Sequence, residues 1–186
     1  MEYDTCYCVH CHGVRGDAMY YERGIPSKVY ALPIGWVRFP LKVRNAYPQY
    51  HVAYHGTKSE NLKDILLTHR LLIPGDTTPS GKIVNERKFH IPACNQFGFN
   101  TKQIFVSPSI LYAGNPTYAT PKKWYDCISR WVYNASVAIQ VWIRPFSYKV
   151  GRHTLAGAYG IDPFFSDDTL EWSTTNRWDV IPYGLL

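Results

Sequence analysis

The chain lacks any apolar run approaching the roughly 20 residues that a membrane-spanning helix needs. Its opening, Met1-Glu2-Tyr3-Asp4, has neither a basic n-region nor an apolar h-region, so a secretory leader is not expected. The cytosol or nucleus is therefore the default compartment, with no membrane partner. Internal repeats and low-complexity tracts are also missing. Charge is sparse: charged residues make up 18%, and the net charge of +6 is spread thinly. Arg15, Arg23, Lys28, Arg38, Lys42 and Arg44 populate the N-terminal quarter without forming a block, and Lys122-Lys123 is a basic doublet. Such a surface permits an acidic partner, nucleic acid included, without selecting one.

What the chain has in excess is aromatic. Aromatics reach 16%, with 15 Tyr and 6 Trp, a content that suits half-buried sheet faces and planar-ligand pockets alike. With 186 residues, 46% of them hydrophobic, one domain spanning 1–186 with a sizeable core is expected, acting as a monomer.

Cysteine is concentrated at one end. Cys6, Cys8 and Cys11 are interleaved with His10 and His12. The run Cys8-Val9-His10-Cys11-His12 formally matches a haem-attachment pattern, which belongs to exported proteins and is set aside here. Thiolate and imidazole better suit a tetrahedral zinc ion, with Cys8 and Cys11 as its candidate ligands. A second CxxC is missing, so further donors would come from afar, such as His51, His90 or Cys94. Reduced free thiols are the alternative, and a disulfide is not expected in this compartment. Cys94 and Cys127 read as ordinary core thiols. Arg15-Gly16-Asp17 and the sequon Asn134-Ala135-Ser136 are short enough to be chance matches.

The first 48 residues read as irregular, and 49–186 as the core of the domain. Residues 49–57 read as a strand ending at Gly56. A helix follows, with Thr57 and Glu60 spaced as a capping box and Leu62, Ile65 and Leu66 at helical period. Pro and Gly punctuate 73–100, which predicts a long surface loop. A short strand is predicted over 103–107, with Pro108 at the first turn of a short helix. Val137, Ile139, Val141 and Ile143 alternate with Ala138, Gln140, Trp142 and Arg144, the clearest strand pattern in the chain. Two more short strands are expected near 171–174 and 180–185. Many strands and few, short helices predict an α+β domain.

Three separated pieces carry chemistry: Tyr54-His55-Gly56-Thr57, Phe105-Val106-Ser107-Pro108-Ser109-Ile110-Leu111-Tyr112-Ala113, and Leu170-Glu171-Trp172. Each sets a polar side chain at the edge of an apolar, strand-like run. A glycine after His55 allows close approach to backbone N–H and C=O groups. Tyr112 or Tyr118 offers a ring for stacking. Alternation turns Glu171 away from both apolar neighbours. Asp162, Asp167 and Asp168 read as turn residues.

In order and spacing these pieces resemble the His-Tyr-Glu motifs of the diphtheria-toxin and poly(ADP-ribose)-polymerase branch of the ADP-ribosyltransferases. More narrowly, Tyr30-Ala31-Leu32-Pro33-Ile34-Gly35-Trp36, Ser107-Pro108-Ser109-Ile110 and Tyr148-Lys149-Val150-Gly151 resemble the transferase-type domains allied to neuralized-like proteins. The resemblance implies an ADP-ribosyltransferase-like fold, with two small antiparallel sheets forming an NAD cleft. It implies mono-ADP-ribosyltransfer from NAD+ to a protein or nucleic-acid acceptor. His55, Tyr112 and Glu171 would be catalytic, and His55, Gly56, Thr57, Phe105, Ser107, Ser109, Tyr112 and Tyr118 would line the NAD site. His55 would bind the adenosine-side ribose, Gly56 the nicotinamide amide, Tyr112 the nicotinamide ring and Glu171 the nicotinamide-side ribose. Phe105 departs from the Tyr that many polymerase-type members carry in the central strand; it keeps the ring and loses the hydroxyl. A catalytically inactive module that binds ADP-ribose or a protein is the alternative. An RNA 2′-phosphotransferase would need a basic, histidine-rich set that the sequence does not display.

Overall fold

The computed structural model describes residues 4–85 and 100–186. Its centre is β9 (Val137–Ile143), whose β-branched alternation favours an extended, two-sided buried strand. Ile139, Val141 and Ile143 face one core with Ala53, Ile65, Ile104, Val106 and Trp172. Ala138 and Trp142 face the other, with Tyr50, Val52, Tyr54, Ile110 and Ala113. β5 (His51–Thr57) pairs with β9 along its whole length, from His51 opposite Ile143 to Thr57 opposite Val137. On the other side of β9 lies β12 (Val180–Leu185), followed by β4 (Val37–Pro40) and β1 (Thr5–Cys6). These five strands form one antiparallel sheet.

A second antiparallel sheet orders β10 (Lys149–Gly151), β11 (Glu171–Thr174) and β6 (Ile104–Val106). Two hairpins stand apart: β2 (Tyr20–Arg23) with β3 (Lys28–Ala31), and β7 (Lys122–Tyr125) with β8 (Val132–Ala135). Among the described residues the α-helices are short: α1 (Val9–Arg15), α2 (Leu62–Thr68) and α3 (Ile110–Ala113). The class is α+β, as the strand-rich pattern predicts. No helix among the described residues is long and apolar enough to cross a membrane.

Two sequence expectations change. The first 48 residues are not irregular: they supply β1 and β4 to the main sheet and the β2–β3 hairpin as well. Strands of two to four residues are too short to show the alternation by which a strand is read. Thr57 and Glu60 form no capping box. Thr57 stays in β5, a 3₁₀ turn (Ser59–Asn61) intervenes, and Glu60 reaches Lys122 at 3.1 Å. The β7–β8 hairpin falls in a stretch to which the sequence reading assigned no element. Of the predicted long loop, 73–85 folds back on itself through Gly75 N–H to Val84 C=O at 2.8 Å and Val84 N–H to Asp76 C=O at 2.8 Å. His90 and Cys94 lie outside the described residues.

Candidate functional site at the seam of two sheets

The two sheets meet at one backbone bridge. Tyr54 N–H donates to the Ser107 carbonyl at 2.8 Å, and Ser107 N–H to the Tyr54 carbonyl at 2.9 Å. Tyr54 belongs to β5, and Ser107 is the residue after β6. β6 pairs with β11 at Val106–Trp172 and Phe105–Ser173. One step further along that register, Glu171 comes opposite Ser107. Tyr54, Ser107 and Glu171 therefore lie abreast on neighbouring strands, spaced by about 4.8 Å per strand. The three sequence motifs meet here, although more than a hundred residues separate the first from the last.

Direction along β5 follows from the same bridge. Successive residues of a strand aim their peptide groups to opposite edges. Tyr54 points toward β6, His55 toward β9, and Gly56 again away from β9. Ala138, opposite Gly56, spends both of its peptide groups on Leu186, at 3.1 and 2.8 Å. Gly56 thus presents an N–H and a C=O just past the point where β6 stops pairing. Its missing side chain has a different use from the ligand approach expected of it. A Cβ there would stand 1.9 Å from the Ala113 carbonyl oxygen and 2.9 Å from Tyr118 Cβ. The space above Gly56 is filled by the chain itself, and Gly56 is buried.

His55 lies on the opposite face of β5, half-buried. Its Nδ1 donates to the Phe105 carbonyl at 2.8 Å, a second tie across the seam. That bond makes Nε2 the acceptor nitrogen of the neutral ring. Phe105 thus contributes its backbone to the site.

Glu171 is 7% exposed. The Tyr112 hydroxyl donates to its Oε2 at 2.6 Å and Thr154 Oγ1 donates to the same oxygen at 3.0 Å. The Tyr118 hydroxyl lies 2.7 Å from that of Tyr112 and 3.1 Å from Thr154 Oγ1. Burial raises the Glu171 pKa, and the two hydrogen bonds oppose that shift. Burial first, and the Glu171 charge second, push the Tyr112 phenol far up, so it stays a donor. Tyr112 is 4% exposed and meets the half-buried Tyr118 edge-on, with ring centres 5.1 Å apart.

α3 carries Tyr112 and begins at a buried cap. Ser109 Oγ accepts from Tyr112 N–H at 3.2 Å and donates to Asp162 Oδ2 at 2.6 Å. Asp162, 1% exposed, also takes the Tyr20 hydroxyl at 3.0 Å and Phe164 N–H at 2.9 Å. Pro108 precedes this cap and does not open the helix itself. Ser107 Oγ accepts from Ser109 N–H at 3.1 Å, and Thr57 Oγ1 accepts from Asn61 Nδ2 at 3.1 Å. Of the predicted ligand-lining residues, Tyr112 touches Glu171, Tyr118 touches Tyr112, Gly56 packs under Ala113 and Tyr118, and His55 and Phe105 join across the seam. Thr57, Ser107 and Ser109 turn their side chains to the fold.

Sequence reading missed Thr154. It sits in the loop after β10, three residues past Gly151, and a lone loop threonine carries no periodic or motif signal. It also gave Asp162 and Asp167 nothing beyond turn chemistry. Asp167 Oδ2 accepts from Gly160 N–H at 3.2 Å, and its carbonyl takes His153 N–H at 3.0 Å, so it anchors the loop that delivers Thr154.

His51 is corrected as a distant zinc donor. Both ring nitrogens are engaged, Nε2 at 2.6 Å from the Pro26 carbonyl and Nδ1 at 2.7 Å from the Tyr148 hydroxyl. Cys6 joins Cys8 and Cys11 instead: the three sulfurs lie within 4.8 Å of one another, a group that could hold a metal ion. A hollow of about 560 Å³ beside Asn100, Phe146 and Ser173 contains none of the predicted site residues. No protein-family model matches the chain, and no solved structure matches it.

Chemically, the seam offers an unpaired peptide edge, an imidazole, an aromatic pair and a desolvated carboxylate with one oxygen, Oε2, already fastened. That set can hold a flat amide, stack a ring and face a developing positive charge.

Proposed function

We propose that the chain is an NAD-dependent mono-ADP-ribosyltransferase with the ADP-ribosyltransferase-like fold of the His-Tyr-Glu branch. The observation that carries this reading is the convergence of three separated motifs on adjoining strands, with Glu171 buried and held by Tyr112 and Thr154. NAD+ is taken as substrate in a cleft along the seam. The Gly56 peptide edge binds the nicotinamide amide, and His55 binds the adenosine-side ribose. Burial divides the two tyrosines differently from the sequence expectation. Tyr118, half-exposed, offers a ring face to nicotinamide, whereas Tyr112 fixes Glu171 through its hydroxyl.

Breaking the bond between nicotinamide and ribose sends the bonding electron pair out with nicotinamide and leaves positive charge on the sugar. Glu171 accepts a hydrogen bond from a hydroxyl of that ribose, and its negative charge favours the cationic state over the ground state. The acceptor nucleophile then bonds to the anomeric carbon and loses its proton. Nicotinamide is a good leaving group, so positioning supplies most of the remainder. A macromolecular acceptor, protein or nucleic acid, would reach the sugar past the β7–β8 hairpin. That hairpin is rooted beside the β5–α2 turn by the Lys122–Glu60 pair.

A second reading is a non-catalytic module that binds ADP-ribose or a protein. It is favoured by one observation, the near-complete burial of Tyr112 and Glu171 behind their own hydrogen bonds. Labelled NAD+ incubated with the chain and a cell extract, followed by protease or nuclease digestion, separates the readings and classifies the acceptor. Glu171→Gln keeps shape and a hydrogen bond but removes the charge. Turnover should fall by roughly 10²–10³-fold with NAD+ affinity little changed. Labelling by Glu171→Gln at the wild-type rate would remove the assignment of this carboxylate. NAD+ or ADP-ribose binding without transfer or hydrolysis would establish the module.

A further inference from the structure

We infer that Cys6, Cys8 and Cys11 together hold a zinc ion that clips the N-terminal segment to the main sheet, independently of any transferase activity. The three sulfurs lie within 4.8 Å of one another. A tetrahedral zinc with bonds of about 2.3 Å brings its sulfurs to about 3.8 Å, a small contraction from what the backbone already sets. Cys8 N–H donates to Cys6 Sγ at 3.5 Å, and Cys11 N–H to Cys8 Sγ at 3.5 Å.

The second observation is that, among the described residues, α1 buries no side chain. None of its seven residues is buried, and Val9 and Val14 are 77% and 75% exposed. A helix this short is not stable on its own in water. It is nonetheless bound to ordered backbone at its start. Cys6 lies opposite Val37 in the β1–β4 pair, and Tyr7 exchanges bonds of 2.8 Å with Trp36 C=O and Gly35 N–H. Arg15 returns from the end of α1 to the Cys6 carbonyl at 2.8 Å. A metal on the three thiolates would add a second tie between α1 and the sheet. A disulfide would use two of the thiols and leave the third, whereas a metal takes all three. The cluster fills three corners of the tetrahedron. The fourth belongs to a donor outside it, and His51, committed to Pro26 and Tyr148, is not that donor.

The test uses the full chain purified under reducing conditions. Elemental analysis after exhaustive dialysis should find about one zinc per chain. It should find the same in Cys127→Ser and lose it in Cys6→Ser, Cys8→Ser and Cys11→Ser alike. Cobalt(II) added to the zinc-free chain should give tetrahedral visible bands and thiolate-to-cobalt charge-transfer absorption. That spectrum decides the matter even if a serine variant fails to fold. Chelation should expose the first 20 or so residues to protease while the main sheet stays protected. A reduced, folded chain that takes up neither zinc nor cobalt would overturn the inference. So would retention of full metal by Cys6→Ser, which would return the site to the two-cysteine set expected from sequence.

Discussion

Burial raises the pKa of Glu171, against the opposing pull of hydrogen bonds from Tyr112 and Thr154. A carboxyl held above its unfolded pKa binds its proton more tightly in the native state, so its share of stability is present at low pH and lost as pH rises through the folded pKa. Two outcomes are expected. Turnover should rise with pH along an acid limb whose midpoint lies above the ordinary carboxylate range, and Glu171→Gln should lack that limb. The urea midpoint of the wild type should fall relative to Glu171→Gln across the same pH interval. A limb at the ordinary carboxylate position would contradict the burial. Gly56 supports a second residue-scale prediction. Because a Cβ there meets the Ala113 carbonyl rather than a flexible side chain, Gly56→Ala must displace α3 or bend β5. A loss of about 1–3 kcal/mol in stability is expected from such overpacking, measured by denaturant unfolding. A wild-type midpoint would show that the seam has more room than the geometry allows.

At the scale of elements, α3 is a single turn whose position depends on its cap. Ser109 holds the Tyr112 N–H and is itself held by the buried Asp162. Ser109→Ala should cost about 0.5–2 kcal/mol, the usual range for a lost cap. It should also lower turnover, because Tyr112 rides on that turn. Thermal unfolding and NAD+ turnover, measured together, test the coupling; a stability loss with unchanged turnover would detach the cap from the site. The β7–β8 hairpin behaves differently. Trp124, Tyr125, Ile128, Trp131 and Tyr133 are all exposed, so the hairpin adds little to either core. Trp124→Ser combined with Trp131→Ser should change stability by no more than about 0.5 kcal/mol. Plain NAD+ hydrolysis should also survive, while labelling of a macromolecular acceptor drops several-fold. Equal loss of hydrolysis and labelling would mean that the hairpin shapes the NAD site itself.

Across the whole molecule, His51 is a buried crosspiece. It sits on β5 at the edge of the main sheet, with one nitrogen on Pro26 in the β2–β3 turn and the other on Tyr148 beside the second sheet. Burial, the dominant influence, lowers its pKa; the Pro26 carbonyl pulls the other way and Lys28 adds to the lowering. The native state therefore prefers the neutral ring. Stability from this contact is complete above the unfolded value near pH 6.5 and declines as pH falls below it. Unfolding in urea at pH 7.5 and pH 5.5 should show the wild type losing more stability on acidification than His51→Gln does. An identical pH dependence in the two chains would show that His51 does not titrate in this way.

How much of this was legible in the sequence depends on the range over which each feature is encoded. β9 follows from local alternation, and β11 and β12 occupy the residues where short strands were expected. The N-terminal strands were not legible: β4 pairs on the edge that β12 offers and β1 on the edge of β4, which no short window records. The site divides the same way. His55, Gly56, Tyr112 and Glu171 stand out as side chains of the right chemistry beside strand-like runs. Thr154, Asp162 and the third thiol of the cysteine cluster take their meaning from what lies opposite them. The sequence by itself determined which strands are long and apolar, and which polar groups close them. Tertiary structure alone decided that Tyr54, Ser107 and Glu171 lie abreast, and that the space over Gly56 belongs to Ala113. The reason is physical: a strand's alternation depends on its own residues, whereas register and burial depend on partners dozens of residues away.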